Sequence, residues 1–214
     1  STLMRSSAAS DVYKRQGMVE LSSIDKDAAI LYTINKGKKA KQYTEPISMR
    51  DGGTVTAWFA NNPSIKTTTT FKKLETIQTE VIYASSEEVG DGDAKNLVDG
   101  DPATYWHSMY SVTVAKYPHW VDLDAGEVKT IKGFTYMPRQ DSYNGNVKEY
   151  TIHVSMDGKN WGEPVQKGTF AGNRDEKKVI FSQPVKGRYI RFTALSEQYG
   201  QDYASGAELT ILAE

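Results

Sequence analysis

The chain has no cysteine, only three histidines, no apolar run long enough to span a membrane and no sustained run of lysine or arginine. Without cysteine there are no disulfides, so stability has to come from packed cores or from a bound metal, although an extracytoplasmic setting is not excluded. None of the histidines stands at the spacing of a zinc-ligand pair. Alternation through Tyr150, Ile152, Val154 and Met156 puts His153 on the solvent side of its strand. Lys and Arg total 26 against 27 Asp and Glu, a net charge of −1, which argues against nucleic acid or an anionic membrane surface as the main partner and against membrane insertion. Nucleophile elbow, phosphate loop and dinucleotide fingerprint are all missing. Adjacent carboxylates such as Glu87 and Glu88 seldom flank one glycosidic bond. Catalysis within the chain is not expected.

What is present is β-rich and tyrosine-rich, with thirteen Tyr and four Trp in 214 residues, enough for one large or two small domains. Residues 1–16 stand apart: Asp11-Val12-Tyr13-Lys14-Arg15-Gln16 looks like a sequencing adapter translated in frame, and the segment is read as a non-native or disordered leader, with the true protein continuing upstream. Short strands follow at Val19 and Leu21, Ala29–Ile34, Ile47–Met49, Thr54–Ala60 and Thr67–Phe71, separated by Asn35, Gly37, Gly52, Gly53 and Pro63. They predict a small Ig-like β-sandwich over residues 17–74, with a polar linker at 75–80. From residue 81 to 214, alternating segments at Trp120–Leu123, Ile131–Tyr136, Tyr150–Val154, Val179–Phe181, Tyr189–Phe192 and Leu209–Leu212 predict a second sandwich, a jelly roll.

The most informative stretch runs from Asn96 to Ser108. Asn96, Asp99, Asp101 and Thr104 supply an amide, two carboxylates and a hydroxyl on a backbone that Gly100 and Pro102 force to turn. Converging oxygens suit a hard cation such as calcium. The spacing is not that of an EF-hand, which would need glycine at Thr104 and glutamate at Tyr110.

Taken in order, Tyr105-Trp106-His107-Ser108, Trp120-Val121-Asp122-Leu123-Asp124, Phe134 to Gln140 with Met137-Pro138-Arg139, Ser155 to Trp161 with Asp157-Gly158, and Arg188-Tyr189-Ile190-Arg191-Phe192 resemble the F5/8 type C (discoidin-like) family, and within it the bacterial family 32 carbohydrate-binding modules. The earlier unit, through Leu31-Tyr32-Thr33-Ile34, Tyr43 to Ile47 and Thr54 to Ala57, is similar to the β module that follows the catalytic domain of chitobiases and β-hexosaminidases. Asn35-Lys36-Gly37 replaces that family's Asp-Gly.

The resemblance implies a noncatalytic module on the C-terminal side of an exported bacterial glycoside hydrolase, possible hydrolases being a hexosaminidase, fucosidase or galactosidase. It implies binding of glycans with terminal galactose, N-acetylgalactosamine or N-acetylglucosamine through His107 and Arg139. Asn144 or Asn146 would add an amide, Glu87 or Glu88 an acidic contact, and Tyr199 or Tyr203 an aromatic platform. Structural calcium would be held by the Asn96 carbonyl, Asp99, Asp101, Thr104, the Ala207 carbonyl and Glu208. The rival expectation is a discoidin-type adhesion or lipid-binding domain, which needs exposed apolar spikes on its loops.

Overall fold

The computed structural model describes residues 5–6, 17–23, 28–73 and 75–213, and the chain divides into two compact units, residues 1–74 and 75–214. Of the expected leader, residues 1–4 and 7–16 lie outside the described residues. Unit one contains β1 (Arg5–Ser6), β2 (Met18–Val19), β3 (Leu21–Ser22), β4 (Ile30–Ile34), β5 (Lys41–Gln42), β6 (Ile47–Ser48), β7 (Gly53–Phe59) and β8 (Asn62–Phe71). Strands β5-β4-β7-β8 form a four-stranded antiparallel sheet, while β1 pairs with β3 and β2 with β6. Val19, Leu21 and Ile47 from the short strands share one core with Ile30, Val55, Ala57, Phe59 and Phe71 of the sheet. Asn35 and Lys36 both take positive φ, so the hairpin between β4 and β5 survives without Asp-Gly, because asparagine tolerates the left-handed region. Pro63 sits in the edge strand β8, where a missing N–H is harmless.

Unit two contains β9 (Thr76–Ile77), β10 (Glu80–Ala84), a 3-10 turn at Ala94–Val98, β11 (Trp106–His107), β12 (His119–Met137), β13 (Glu149–Ser155), β14 (Gln166–Thr169), β15 (Lys177–Ala194), β16 (Ser205–Gly206) and β17 (Glu208–Ala213). Two long strands run through both layers. The first half of β12 pairs with β10 and with the second half of β15, which pairs in turn with β13, itself paired to β14. The second half of β12 pairs with the first half of β15 and with β17, itself paired to β9. Strand β12 changes layer between Asp124 and Lys129, where Gly126 takes positive φ and donates its N–H to Asp124 at 2.7 Å.

The two layers meet in a single aromatic core. Phe134 contacts Tyr150, Phe170, Phe181 and Phe192, and Tyr150 stacks on Phe170 with centroids 4.1 Å apart. Alternation selects these rings, and burying each one contributes roughly 1.5–3 kcal/mol. The protein is all-β, and unit two is a discoidin-like β-sandwich.

Three local expectations change. Residues 75–80 are not a free linker: Thr76 and Ile77 pair with Leu212 and Ile211, and Glu80 opens a strand opposite Asp124. Strand β13 ends at Ser155, so Met156 is exposed instead of facing the core; the Asp157 carboxylate gathers the N–H groups of Lys159 and Asn160, both at 2.9 Å, and turns the chain there. His153 is not open to solvent. Its neighbour across the ladder, Arg191, forks onto Asp122 at 2.6 and 2.8 Å and lies 4.3 Å from the Trp161 ring centre, so this outer face is itself covered.

Candidate functional site

Loops from separate strands converge at one end of unit two on a cavity of about 340 Å³, lined by His107, Tyr110, Arg139, Ser142, Asn144 and Tyr203. His107 ends β11, held by Trp106, which is fully buried and donates its indole N–H to the Ser86 carbonyl at 2.9 Å. The His107 ring is only 4% exposed. It lies between Tyr105 and Tyr110, at centroid distances of 5.8 and 5.0 Å. Its Nδ1 donates to the Ser108 carbonyl at 3.0 Å, since a carbonyl can only accept. Nε2 lies 3.5 Å from the Asp91 carboxylate and is the ring's acceptor whenever the imidazole is neutral. Gly92 backs the ring so closely that a Cβ there would stand 2.4 Å from His107 Cδ2.

Arg139 follows β12 by two residues. Its Nε and Nη2 donate to Asp141, both at 2.8 Å, which holds the Asp141 carboxyl below its ordinary range. Its guanidinium carbon lies 3.8 Å from the Tyr105 ring centre. Nη1 is the nitrogen left for a ligand. Asn144 and Ser142 come from the next loop, which is pinned where Ser205 donates its hydroxyl to the Asn144 carbonyl at 2.7 Å and its N–H to the Gly145 carbonyl at 2.8 Å. Tyr203 is fixed by the Tyr117 hydroxyl, which donates to its carbonyl. One planar cation, an imidazole, an amide, a hydroxyl and two phenol rings thus face one concave space. Such a set engages vicinal hydroxyls while a ring takes an apolar face.

The remaining candidates lie elsewhere. Glu87 accepts the Ala94 N–H at 2.7 Å and so caps the 3-10 turn. Glu88 takes the N–H groups of Tyr110 and Ser111 at 2.8 and 3.0 Å, together with the Ser111 hydroxyl. Those bonds, the hydroxyl's foremost, bring its pKa down to about 2. It shapes the Tyr110 loop without lining the cavity. Asn146 is buried, with Nδ2 donating to the Asn173 carbonyl at 3.3 Å, and Tyr199 packs against Tyr143 outside the cavity. Tyr110 and Ser142 were not singled out as ligands in the sequence; both stand in polar loops, which was the available signal.

In the oxygen-rich turn, Asp99 accepts the Asp101 N–H at 2.8 Å and the Thr104 hydroxyl at 2.7 Å, Asp101 accepts the Ala103 N–H at 2.9 Å, and Asn96 Nδ2 donates to the Tyr105 carbonyl at 2.9 Å. Trp106 pairs with Gly206, and β17 packs on the 3-10 turn, which brings Ala207 and the 4%-exposed Glu208 to this turn. No three His, Asp or Glu side chains gather as a metal cluster among the described residues. The expected set contains three carboxylates, Asp99, Asp101 and Glu208, which do not gather as one cluster; with the Asn96 and Ala207 carbonyls and the Thr104 hydroxyl they are all oxygen donors, the type a hard cation takes.

Comparison with known proteins places this geometry. Residues 81–209 match the F5/8 type C domain. The chain belongs to that family. A sialidase of Micromonospora viridifaciens is 39% identical over 172 residues, covering 78% of this chain and 26% of that protein, so the chain spans about a quarter of that relative's length. A family 32 module of a Clostridium perfringens family 89 glycoside hydrolase, solved in complex with GalNAc-β-1,3-galactose, is 32% identical with a TM-score of 0.59, covering 64% of this chain and 99% of that one. The family 32 module of C. perfringens NanJ, solved with galactose, is 28% identical with a TM-score of 0.57, covering 64% and 96%. Both of these solved neighbours are noncatalytic family 32 carbohydrate-binding modules.

Proposed function

We propose that the F5/8 type C unit is a noncatalytic, family 32-type carbohydrate-binding module for glycans ending in galactose or an amino sugar. The observation that carries this is the convergence of His107, Arg139, Asn144 and Tyr203 on one cavity. In its neutral form His107 Nε2 accepts from a sugar hydroxyl, Arg139 Nη1 and the Asn144 amide donate, and Tyr203 offers a ring to the C–H face. A structural calcium ion held by the Asn96 carbonyl, Asp99, Asp101, Thr104, the Ala207 carbonyl and Glu208 would tie the last strand to the early turn. The proposal extends to a wider setting: residues 17–74 as a hexosaminidase-type β module, residues 1–16 as a non-native leader, and an upstream glycoside hydrolase exported from a bacterial cytoplasm. The module would then raise effective substrate concentration for that enzyme.

A glycan array on the chain, followed by titration calorimetry with galactose, N-acetylgalactosamine and N-acetylglucosamine, tests the reading. Binding to at least one of these, lost in Arg139→Ala, supports it; an array without a positive glycan overturns it. The lipid-binding alternative has one observation in its favour. Val112 is 86% and Val114 41% exposed beside Tyr110. Against it, Lys116, the one basic residue between Met109 and Pro118, pairs with Asp202, which leaves little for anionic headgroups. Sedimentation with phosphatidylserine vesicles separates the two.

A further inference from the structure

Tyr143 and Tyr199 are 45% and 59% exposed, yet their rings are set edge to face, with centroids 6.3 Å apart and planes at 88°. Both are held from behind. The Arg174 guanidinium carbon lies 4.6 Å from the Tyr143 ring centre, and Arg174 is tied to Gln140 in both directions: its Nη1 donates to the Gln140 carbonyl, and Gln140 Nε2 donates to the Arg174 carbonyl at 3.0 Å. Tyr199 donates its N–H at 2.6 Å to the carboxylate of buried Glu197, which also takes the Gln201 N–H at 3.1 Å. Both tyrosines border the cavity without entering it. Tyr143 stands between Ser142 and Asn144, which line it, and Tyr199 stands in the loop that delivers Tyr203.

We propose that Tyr143 and Tyr199 form a second subsite, a platform for the pyranose next to the one held in the cavity, so that the unit takes a disaccharide or longer chain end rather than a monosaccharide. This rests on the carbohydrate-binding reading of the cavity. Of the two candidate platforms, Tyr203 then serves the terminal sugar and Tyr199 the second. A pyranose face carries axial C–H groups that pack on an aromatic ring, while phenol hydroxyls reach the equatorial oxygens beside it. An edge-to-face pair offers one ring face and one flanking hydroxyl, which suits a single sugar unit. Rings ordered before binding also lose little freedom when the ligand arrives.

Titration calorimetry on the whole chain, first with methyl glycosides of galactose, N-acetylgalactosamine and N-acetylglucosamine, identifies the sugar the cavity takes. A panel of α- and β-linked disaccharides ending in that sugar should contain at least one bound about 3- to 10-fold more tightly. Tyr143→Ala with Tyr199→Ala should return that disaccharide to monosaccharide affinity and leave the monosaccharide unchanged. Should the double variant melt lower than wild type, the single Tyr199→Ala, at an exposed position off the core, decides. If no disaccharide gains threefold, or if the variants weaken both ligands alike, the second subsite is overturned while the cavity reading stands. If no methyl glycoside or disaccharide binds at all, the cavity reading itself fails, and the platform with it.

Discussion

The Arg139 guanidinium lies flat enough on Tyr105 to bring its carbon 3.8 Å from the ring centre, and Tyr105 also stacks against His107. One ring outside the cavity therefore positions both the guanidinium and the imidazole that line it. A partly desolvated cation–π contact contributes about 1–2 kcal/mol, and here it acts with the Asp141 fork to hold the guanidinium in one orientation.

Replacing Tyr105 by leucine should keep the bulk and lose the platform. Sugar affinity is expected to fall about tenfold, whereas Tyr105→Phe should bind as wild type. Calorimetry on both variants checks this; equal affinity in Tyr105→Leu would show that the Asp141 fork alone suffices.

Gly92→Ala tests how tightly His107 is boxed. The new methyl would stand 2.4 Å from Cδ2 and 2.8 Å from Cγ, and the ring cannot retreat because Tyr110 lies on it. Overpacking of this kind costs about 1–3 kcal/mol, so melting should drop by roughly 3–10 °C and sugar binding should weaken. The burial of His107 has a second consequence. His107→Ala should lower stability as well as affinity. A wild-type melting curve for Gly92→Ala would contradict the tight contact.

Glu88 ties the Tyr110 loop to pH. Its folded-state pKa lies near 2 against an ordinary 4.5, so the ionised carboxylate is favoured by the fold. Its contribution is complete above the ordinary value and is lost as pH falls from there through about 2. The amide shifts of Tyr110 and Ser111 should titrate with a midpoint near 2 and stay flat between pH 5 and 7. Glu88→Gln should abolish that titration; a wild-type midpoint near 4.5 would show the carboxylate to be unengaged.

The strands of unit two were legible because alternation names the buried set directly, from Trp120-Val121-Asp122-Leu123 to Leu209–Leu212. His107 and Arg139 were reached through the landmark segments, since spacing alone says nothing about two residues joined only in space. Glu87 and Glu88 show where such reasoning ends: neighbouring carboxylates accept from Ala94 and from the Tyr110–Ser111 pair respectively, and only the loop path decides which. Asn144 and Asn146 part company because Gly145 takes φ +74° between them, leaving one in the cavity wall and the other buried. Thr76–Ile77 escaped notice because two residues cannot show a period; their pairing is dictated by the free edge of β17.

Calcium is the remaining handle on stability. If the ion joins the Asn96–Thr104 turn to Ala207 and Glu208, it binds only where β17 already packs on the 3-10 turn, that is, only in the folded state. An ion present at a hundredfold excess over its dissociation constant then adds about 2.7 kcal/mol, of the order of 5–10 °C in melting temperature for a unit of this size. Chelation should lower the transition of unit two by that amount and leave unit one where it was. Glu208→Gln should melt like the chelated wild type and no longer respond to calcium, because a buried carboxylate is the strongest donor the last strand offers. Sugar affinity measured well below the transition should change little, since none of the proposed metal ligands lines the cavity. Differential scanning calorimetry with and without chelator, together with elemental analysis of the purified chain, decides the matter: a chelator-indifferent melt with no metal bound would overturn the calcium site and leave the Asn96–Thr104 segment as a turn.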